Sequence, residues 1–336
     1  MGKSPLVSIQ HIVKHFDISG GLLEQFAFSG GKLVRNRAVV HAVNDVSLEI
    51  MEGETLSVVG ESGCGKSTLA RVVIGLHPPT SGEIHFRGER VDNLHGTRRR
   101  PFRTKAQMVF QDPYASLNPR MRVKQILEEP VRFHRPEFSD AQVRERVGEV
   151  MEQVGINPLW GVRYPHEFSG GQRQRISLAR ALVLNPEFVV ADEPISALDV
   201  SIQAQVLNLM MDLQEQRGLT YLFISHDLSV VEHISDRVAV LYLGSLCELA
   251  STAQLFSNPQ HPYTKALLSA IPRIGKGFQH MRLSGDVPTP INLPSGCVFH
   301  GRCPHANDRC RQEVPHPRTV EGGTLVACHG VEEGRL

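Results

Sequence analysis

The sequence lacks any imbalance of charge. Within 336 residues, 36 lysines and arginines stand against 35 aspartates and glutamates, a net charge of +1. Near-neutrality gives no support for broad nucleic-acid binding. It also lacks any run approaching the roughly 18 apolar residues of a membrane span. The opening stretch MGKSPLVSIQHIVKHFD has no long apolar core of the signal-peptide kind, so the chain is expected to stay in the cytosol. No internal repeat and no low-complexity tract breaks the sequence. There are six cysteines but no C-x₂-C pair of the zinc-ribbon type. What remains is an ordinary composition, 41 % apolar and 21 % charged, long enough for one large domain and a smaller one.

Short β-rich runs alternate with helical patterns. TLSVV (55–59), FVVA (188–191) and YLFI (221–224) are apolar on both faces, which fits buried parallel strands. SIQAQVLNLMMDLQEQRG puts Ile202, Val206, Leu209 and Leu213 on one stripe, and Gly218 follows where a helix end favours glycine. Strands alternating with helices imply a parallel α/β sheet, with ligands at the carboxyl ends of the strands. Residues 17–41 carry two SGG triplets and read as a long loop or hairpin arm, whose apolar GLLEQFAF could touch a membrane surface. The basic run TRRRPFRTK (97–105) reads as a solvated face. After residue 245 prolines recur, and a domain boundary is expected there.

GESGCGKST (60–68) carries the chemistry. Gly60, Gly65, Lys66 and Ser67 match G-x-x-x-x-G-K-[ST] between a strand and a helix. Glycines let the backbone wrap a β-phosphate, Lys66 supplies a compact positive charge, and the Ser67 hydroxyl suits Mg²⁺. FVVADE ends a buried strand in two carboxylates: Asp192 can hold Mg²⁺, and Glu193 can polarise a water in line with the γ-phosphate. ISHD places His226 at the end of another strand, near the same phosphate. Gln111, in MVFQDP, can contact Mg²⁺ and the attacking water. A second phosphate-facing loop, EFSGGQ (167–172), opens another helix.

These motifs, in this order, resemble the ATP-binding-cassette ATPases over residues 1 to about 245. The resemblance implies a P-loop NTPase cassette: an α/β fold with a parallel-sheet core, an antiparallel β subdomain and a helical subdomain at about 112–185. By the same resemblance the nucleotide loop comprises Gly60, Glu61, Ser62, Gly63, Cys64, Gly65, Lys66, Ser67 and Thr68, and Phe16 stacks on adenine. Glu193, His226 and Gln111 form the catalytic set, and Ser67, Gln111 and Asp192 form the Mg²⁺ set. Ser169, Gly170, Gly171 and Gln172 are the signature, with Phe168 where the family most often has leucine. Asp199 in SALD lies at the seam of a head-to-tail pair. Each ATP would then sit between one chain's phosphate loop and the other's signature.

HPYTKALLSAIPR (261–273), together with YASLNPR and RYPHEFSGGQRQRI, resembles the bacterial oligopeptide/dipeptide importer ATPases, and most nearly the F-type ATP-binding subunits of dipeptide permeases. That resemblance implies a paralogous ATPase as partner, two membrane permease subunits, an extracytoplasmic substrate-binding protein, and a peripheral place on the cytoplasmic face of the inner membrane. The same motor serves nickel, glutathione or haem in related importers. The alternative class is a soluble cassette ATPase acting on nucleic acid, which usually shows insertions or a second cassette absent here. Residues 246–336 are expected as a small C-terminal domain with a cysteine cluster: Cys297, Cys303, Cys310 and Cys328. Four thiolates can hold a tetrahedral Zn²⁺ or an iron–sulfur cluster, and His300, His305 or His329 can replace a thiolate at zinc. Resemblance favours [4Fe–4S], placed away from the nucleotide loops and outside hydrolysis.

Overall fold

The computed structural model describes residues 4–19, 26–29, 32–35, 38–271, 283, 285–286 and 288–336, with the side chains of 26–29 and 32–35 left aside. Strands Thr55–Val59, Phe188–Asp192 and Thr220–Ile224 are buried at every position. A strand without a polar face needs cover on both sides. Phe188, Val190, Leu222 and Ile224 face one core with Leu69 and Val72 of the helix Lys66–Val73. Val189, Ala191, Tyr221 and Phe223 face the opposite core with Val206, Met210 and Leu213.

These strands run parallel in the order Ala106–Val109, Phe188–Asp192, Thr220–Ile224, Thr55–Val59, Arg237–Tyr242, with Tyr221 opposite Thr55 and Val189. The sheet then turns antiparallel through Ser245–Ser251, Leu325–Val326 and Arg318–Thr319. A separate antiparallel sheet orders Val39–Ile50, Val7–Asp17, Ser81–Phe86 and Glu89–Arg90. Helices Val123–His134, Asp140–Gln153 and Gly170–Leu182 pack through Ile126, Leu127, Val143, Val147, Val150 and Ile176. Phe168 is buried beside Trp160 in that core, where its ring acts as a packing residue. The arm at 17–41 contains the hairpin Phe26–Ser29 and Lys32–Arg35. Of GLLEQFAF, residues 21–25 lie outside the described residues.

One expectation needs revision. The helix Val200–Arg217 ends at Gly218 with φ 63°, but its buried stripe is Val206, Leu207, Met210 and Leu213. Ile202 instead packs on Gly171, where an added Cβ would come within 2.4 Å of Ile202 Cγ2. The expected boundary at 245 falls at the turn of a hairpin in which Tyr242 pairs with Ser245. Residues beyond it lengthen the main sheet and share a core with it. Cys247, Phe256, Tyr263 and Phe299 pack against Val59, Val231, Val238 and Tyr242. The helix Pro262–Ser269 is anchored there by His261, whose Nδ1 accepts from Tyr263 N at 3.0 Å, while buried Glu248 accepts from the N–H groups of Gln260 and His261. Pro272 and Arg273 of the same motif lie outside the described residues.

Candidate functional site

At the carboxyl ends of the parallel strands lies a cleft of about 530 Å³. Its walls include Phe16, Ser62, Gly63, Gly65, Lys66, Ser67, Thr68, Gln111, Glu193 and His226. Residues spread over more than two hundred positions thus meet at one place. Gly65, at φ 99°, turns the chain into the helix Lys66–Val73, and a Cβ there would stand 2.0 Å from the Ala42 carbonyl oxygen. Gly65 caps that helix without a side-chain bond, so its first N–H groups stay open to an anion.

Lys66 is 5 % exposed, and its Nζ donates to the carbonyls of Gly60 (2.8 Å) and Glu61 (3.0 Å). Ser67 Oγ donates to Asp192 Oδ1 at 2.7 Å. Burial pushes the Asp192 carboxyl above its usual range, against the pull of Ser67 and Arg71. Gln111 Nε2 donates to Glu193 Oε2 at 2.9 Å, and His226 Nδ1 lies 3.3 Å from the same oxygen. Glu193 has φ 46°, a strained value for a side-chain-bearing residue. Its N–H donates to Ile224 O and holds the turn. Buried Cys64 forms the inner side of the loop, and burial raises its thiol pKa. Phe16 meets His77 edge-on at 5.7 Å, and Lys14 Nζ lies 4.8 Å from its ring centroid.

The ABC transporter family model matches residues 43–196, and the model for the oligopeptide/dipeptide transporter C-terminal region matches 247–310. The putative oligopeptide transport ATP-binding protein YkfD of Bacillus subtilis is 50 % identical, across 98 % of this chain and 96 % of that protein. The dipeptide transport ATP-binding protein DppF of Escherichia coli is 47 % identical, across 98 % and 96 %. Among solved structures, the dimeric ATP-binding cassette MJ0796 bound to ADP and Pi is 28 % identical, with a TM-score of 0.61 over 73 % of this chain and 98 % of that one. The chain belongs to the ABC transporter ATPases.

In this ABC ATPase residues 169–172, the expected signature, do not line the cleft. Ser169 is exposed and opens the helix Gly170–Leu182. Its Oγ accepts from Gln172 N, and Gln172 Oε1 accepts from Ser169 N. Gly170 lies beside Leu198, and Gly171 beside Ile202. Asp199 is exposed at the start of the next helix, followed by Val200 at 81 % exposure.

Cys297, Cys303, Cys310 and Cys328 line one enclosed cavity of about 10 Å³ with His300, His305 and His329. All four are free thiols. Burial pushes Cys297 up to about 12 and raises Cys303 and Cys328. His329 Nε2 faces the Glu313 carbonyl at 3.0 Å, and its buried Nδ1 has no hydrogen-bond partner. The donor set suits a soft metal, but the cavity is closed around roughly one water-sized volume. Among the described residues no group of three or more His, Cys, Asp or Glu is arranged to hold a metal ion. The expected iron–sulfur cluster therefore finds no support in this geometry.

The expected separation of this segment from the nucleotide loops fails. Arg302, next to Cys303, pairs through Nη1 and Nη2 with both carboxylate oxygens of Glu61 in the phosphate loop, at 2.8 and 3.2 Å. Pro290 lines the nucleotide cleft, and its carbonyl accepts from His41 N. Sequence reasoning passed over Arg302 because no motif links positions 241 residues apart.

Proposed function

We propose that the chain is the ATP-hydrolysing subunit of an importer of di- or oligopeptides. The observation that carries this reading is the joining of Lys66, Ser67, Asp192, Gln111, Glu193 and His226 in one cleft. Peptide as cargo rests on the names of the relatives and on the matched C-terminal region. The same motor carrying another small solute is separated from it by the transport assay below. A nucleic-acid role has no specific observation behind it.

Lys66 and the open N–H groups of its helix hold the phosphates, and Phe16 packs on the adenine. Mg²⁺, when bound, offsets phosphate charge; Ser67, Asp192 and Gln111 would hold it, all through oxygen. Glu193 accepts the proton of the attacking water, and His226 steadies the carboxylate from 3.3 Å. The Ser169 hydroxyl uses a lone pair for its cap and keeps its proton free for a γ-phosphate presented by a second cassette. Exposed Asp199 and Val200 would lie at that seam.

A paralogous ATPase, two permease subunits and an outer binding protein complete the assembly, with this chain at the inner face of the membrane. Among the described residues no helix is long and apolar enough to cross it. A groove of about 680 Å³, lined by Phe110, Ser116, Met121, Ile126 and Phe133, fits a short cytosolic permease helix. Residues 246–336 form the C-terminal unit, in which the four thiols line one small cavity. The test is uptake of labelled dipeptide by vesicles carrying the assembled transporter. ATP-dependent uptake that stops with Lys66→Ala supports the reading; ATP hydrolysis stimulated by a non-peptide solute and never by peptide overturns the cargo.

A further inference from the structure

Glu61 is held at every polar group it has. Its N–H donates to Tyr263 Oη at 3.0 Å, its carbonyl accepts from Lys66 Nζ at 3.0 Å, and its carboxylate takes both Arg302 nitrogens. Two of these three partners come from the C-terminal region. Tyr263 is fully buried, packed between Tyr242 and Phe299. The Arg302 side chain is 10 % exposed, lies over the Tyr242 ring and donates weakly to its hydroxyl. The next two loop residues, Ser62 and Gly63, face the nucleotide cleft. Glu61 is thus the last fixed point before the part of the loop that wraps a phosphate.

We propose that Arg302 and Tyr263 are positioning residues of the phosphate loop, so that the C-terminal region sets nucleotide affinity. The inference rests on the reading of this cleft as the ATP site. Two effects act together. The fork of Arg302 fixes the angle of the loop, as a single point charge would not. It also neutralises a half-buried carboxylate that would otherwise stand unpaired next to an incoming triphosphate. Tyr263 fixes the backbone of the same residue. Neither side chain is in hydrogen-bond contact with Glu193 or His226, so the effect belongs to binding and not to the chemical step.

The test measures the MgADP dissociation constant of the full chain by calorimetry, and KM and kcat for ATP in the assembled transporter. Arg302→Met should weaken MgADP binding about tenfold, the cost of leaving one partner of a shielded pair unpaired. KM should rise similarly with kcat retained. Adding Glu61→Gln to Arg302→Met removes the orphan charge and should restore most of the affinity; a merely structural arginine would show no such rescue. Arg302→Lys, with charge but no fork, should fall between, and covers the case in which Arg302→Met folds poorly. Unchanged affinity in Arg302→Met, or no recovery in the double variant, overturns the inference, provided Lys66→Ala still weakens binding. If Lys66→Ala binds MgADP like the parent, the ATP-site reading itself has failed.

Discussion

Glu193→Gln isolates the charge of one carboxylate in an otherwise intact cleft. The glutamine carbonyl can still accept from Gln111 Nε2, which now stands 2.9 Å from Glu193 Oε2. Side-chain length is unchanged, and the backbone remains held by the bond to Ile224 O. Only the ability to accept a proton is lost. Removing a general base typically costs about 10²–10⁴-fold in rate, or roughly 3–5 kcal/mol in the barrier. Nucleotide binding should persist, because the proposed phosphate contacts are those of Lys66, Ser67 and the loop backbone. The variant should therefore bind ATP like the parent and accumulate as the closed pair of cassettes, because the γ-phosphate that bridges them is never cleaved. The assay is phosphate release from the transporter in vesicles, with ATP binding and cassette association measured on the same preparation. Release at the parent rate would refute the assignment of Glu193. Equal loss of binding and hydrolysis would instead mean that the substitution had disturbed the strained turn at φ 46°.

Cys303→Ser should loosen the packing around the small cavity that Cys303 shares with Cys297, Cys310 and Cys328 and lower the melting temperature. Because Arg302 adjoins Cys303, the same variant should also weaken MgADP binding. Cysteine pairs placed between residues 112–130 and the permease's cytosolic loops should crosslink in intact transporter, and a complete absence of crosslinks would count against the groove. Acid should loosen the C-terminal region through His261, which burial holds down to about 3 from an ordinary 6.5. The unfolded chain takes up this proton below about pH 6.5 while the folded chain does not, so stability falls as pH drops, by about 2 kcal/mol at pH 5. Glu248, raised chiefly by burial, works in the opposite direction, so the contribution is read as the parent minus His261→Asn, which keeps a capping acceptor. Melting curves at pH 7 and 5 with identical slopes in both proteins would remove the argument.

Where the chain's local chemistry decides the structure, the sequence was readable. TLSVV, FVVA and YLFI are apolar at neighbouring positions, and only a strand covered on both sides satisfies that. Gly65 is required by its φ and by the Ala42 carbonyl, and Ser169 with Gln172 forms a cap from four adjacent residues. The helix Val200–Arg217 was readable in extent but not in facing. Its periodicity admits more than one stripe, and the choice depends on Gly171 leaving room for Ile202. The boundary at 245 is a change of composition and of matched family model, not of hydrogen bonding. Prolines recur beyond it, but the sheet continues, since Ala327 N donates to Cys247 O and Leu325–Val326 adds to it.

The bond between Glu61 and Arg302 alters how the two halves of the chain relate. A C-terminal unit joined only by a linker would leave the phosphate loop indifferent to the state of the cysteines. Here the turn that bears Arg302 is fixed by backbone bonds from Arg302 N to Phe299 O and from Cys303 N to His300 O, and Cys297 N donates to Cys310 O. Any rearrangement that opens the small cavity among the four thiols must move this turn. The turn cannot move without drawing on both oxygens of the Glu61 carboxylate. Filling or emptying the cavity is thus linked to nucleotide affinity, and linkage is reciprocal. Bound MgADP should lower the population of the open cavity, read as labelling of its thiols, by the same factor that opening weakens nucleotide binding. No effect of nucleotide on labelling, or an effect that Arg302→Met leaves unchanged, would mean that the bridge between Arg302 and Glu61 is not the route that joins the two sites.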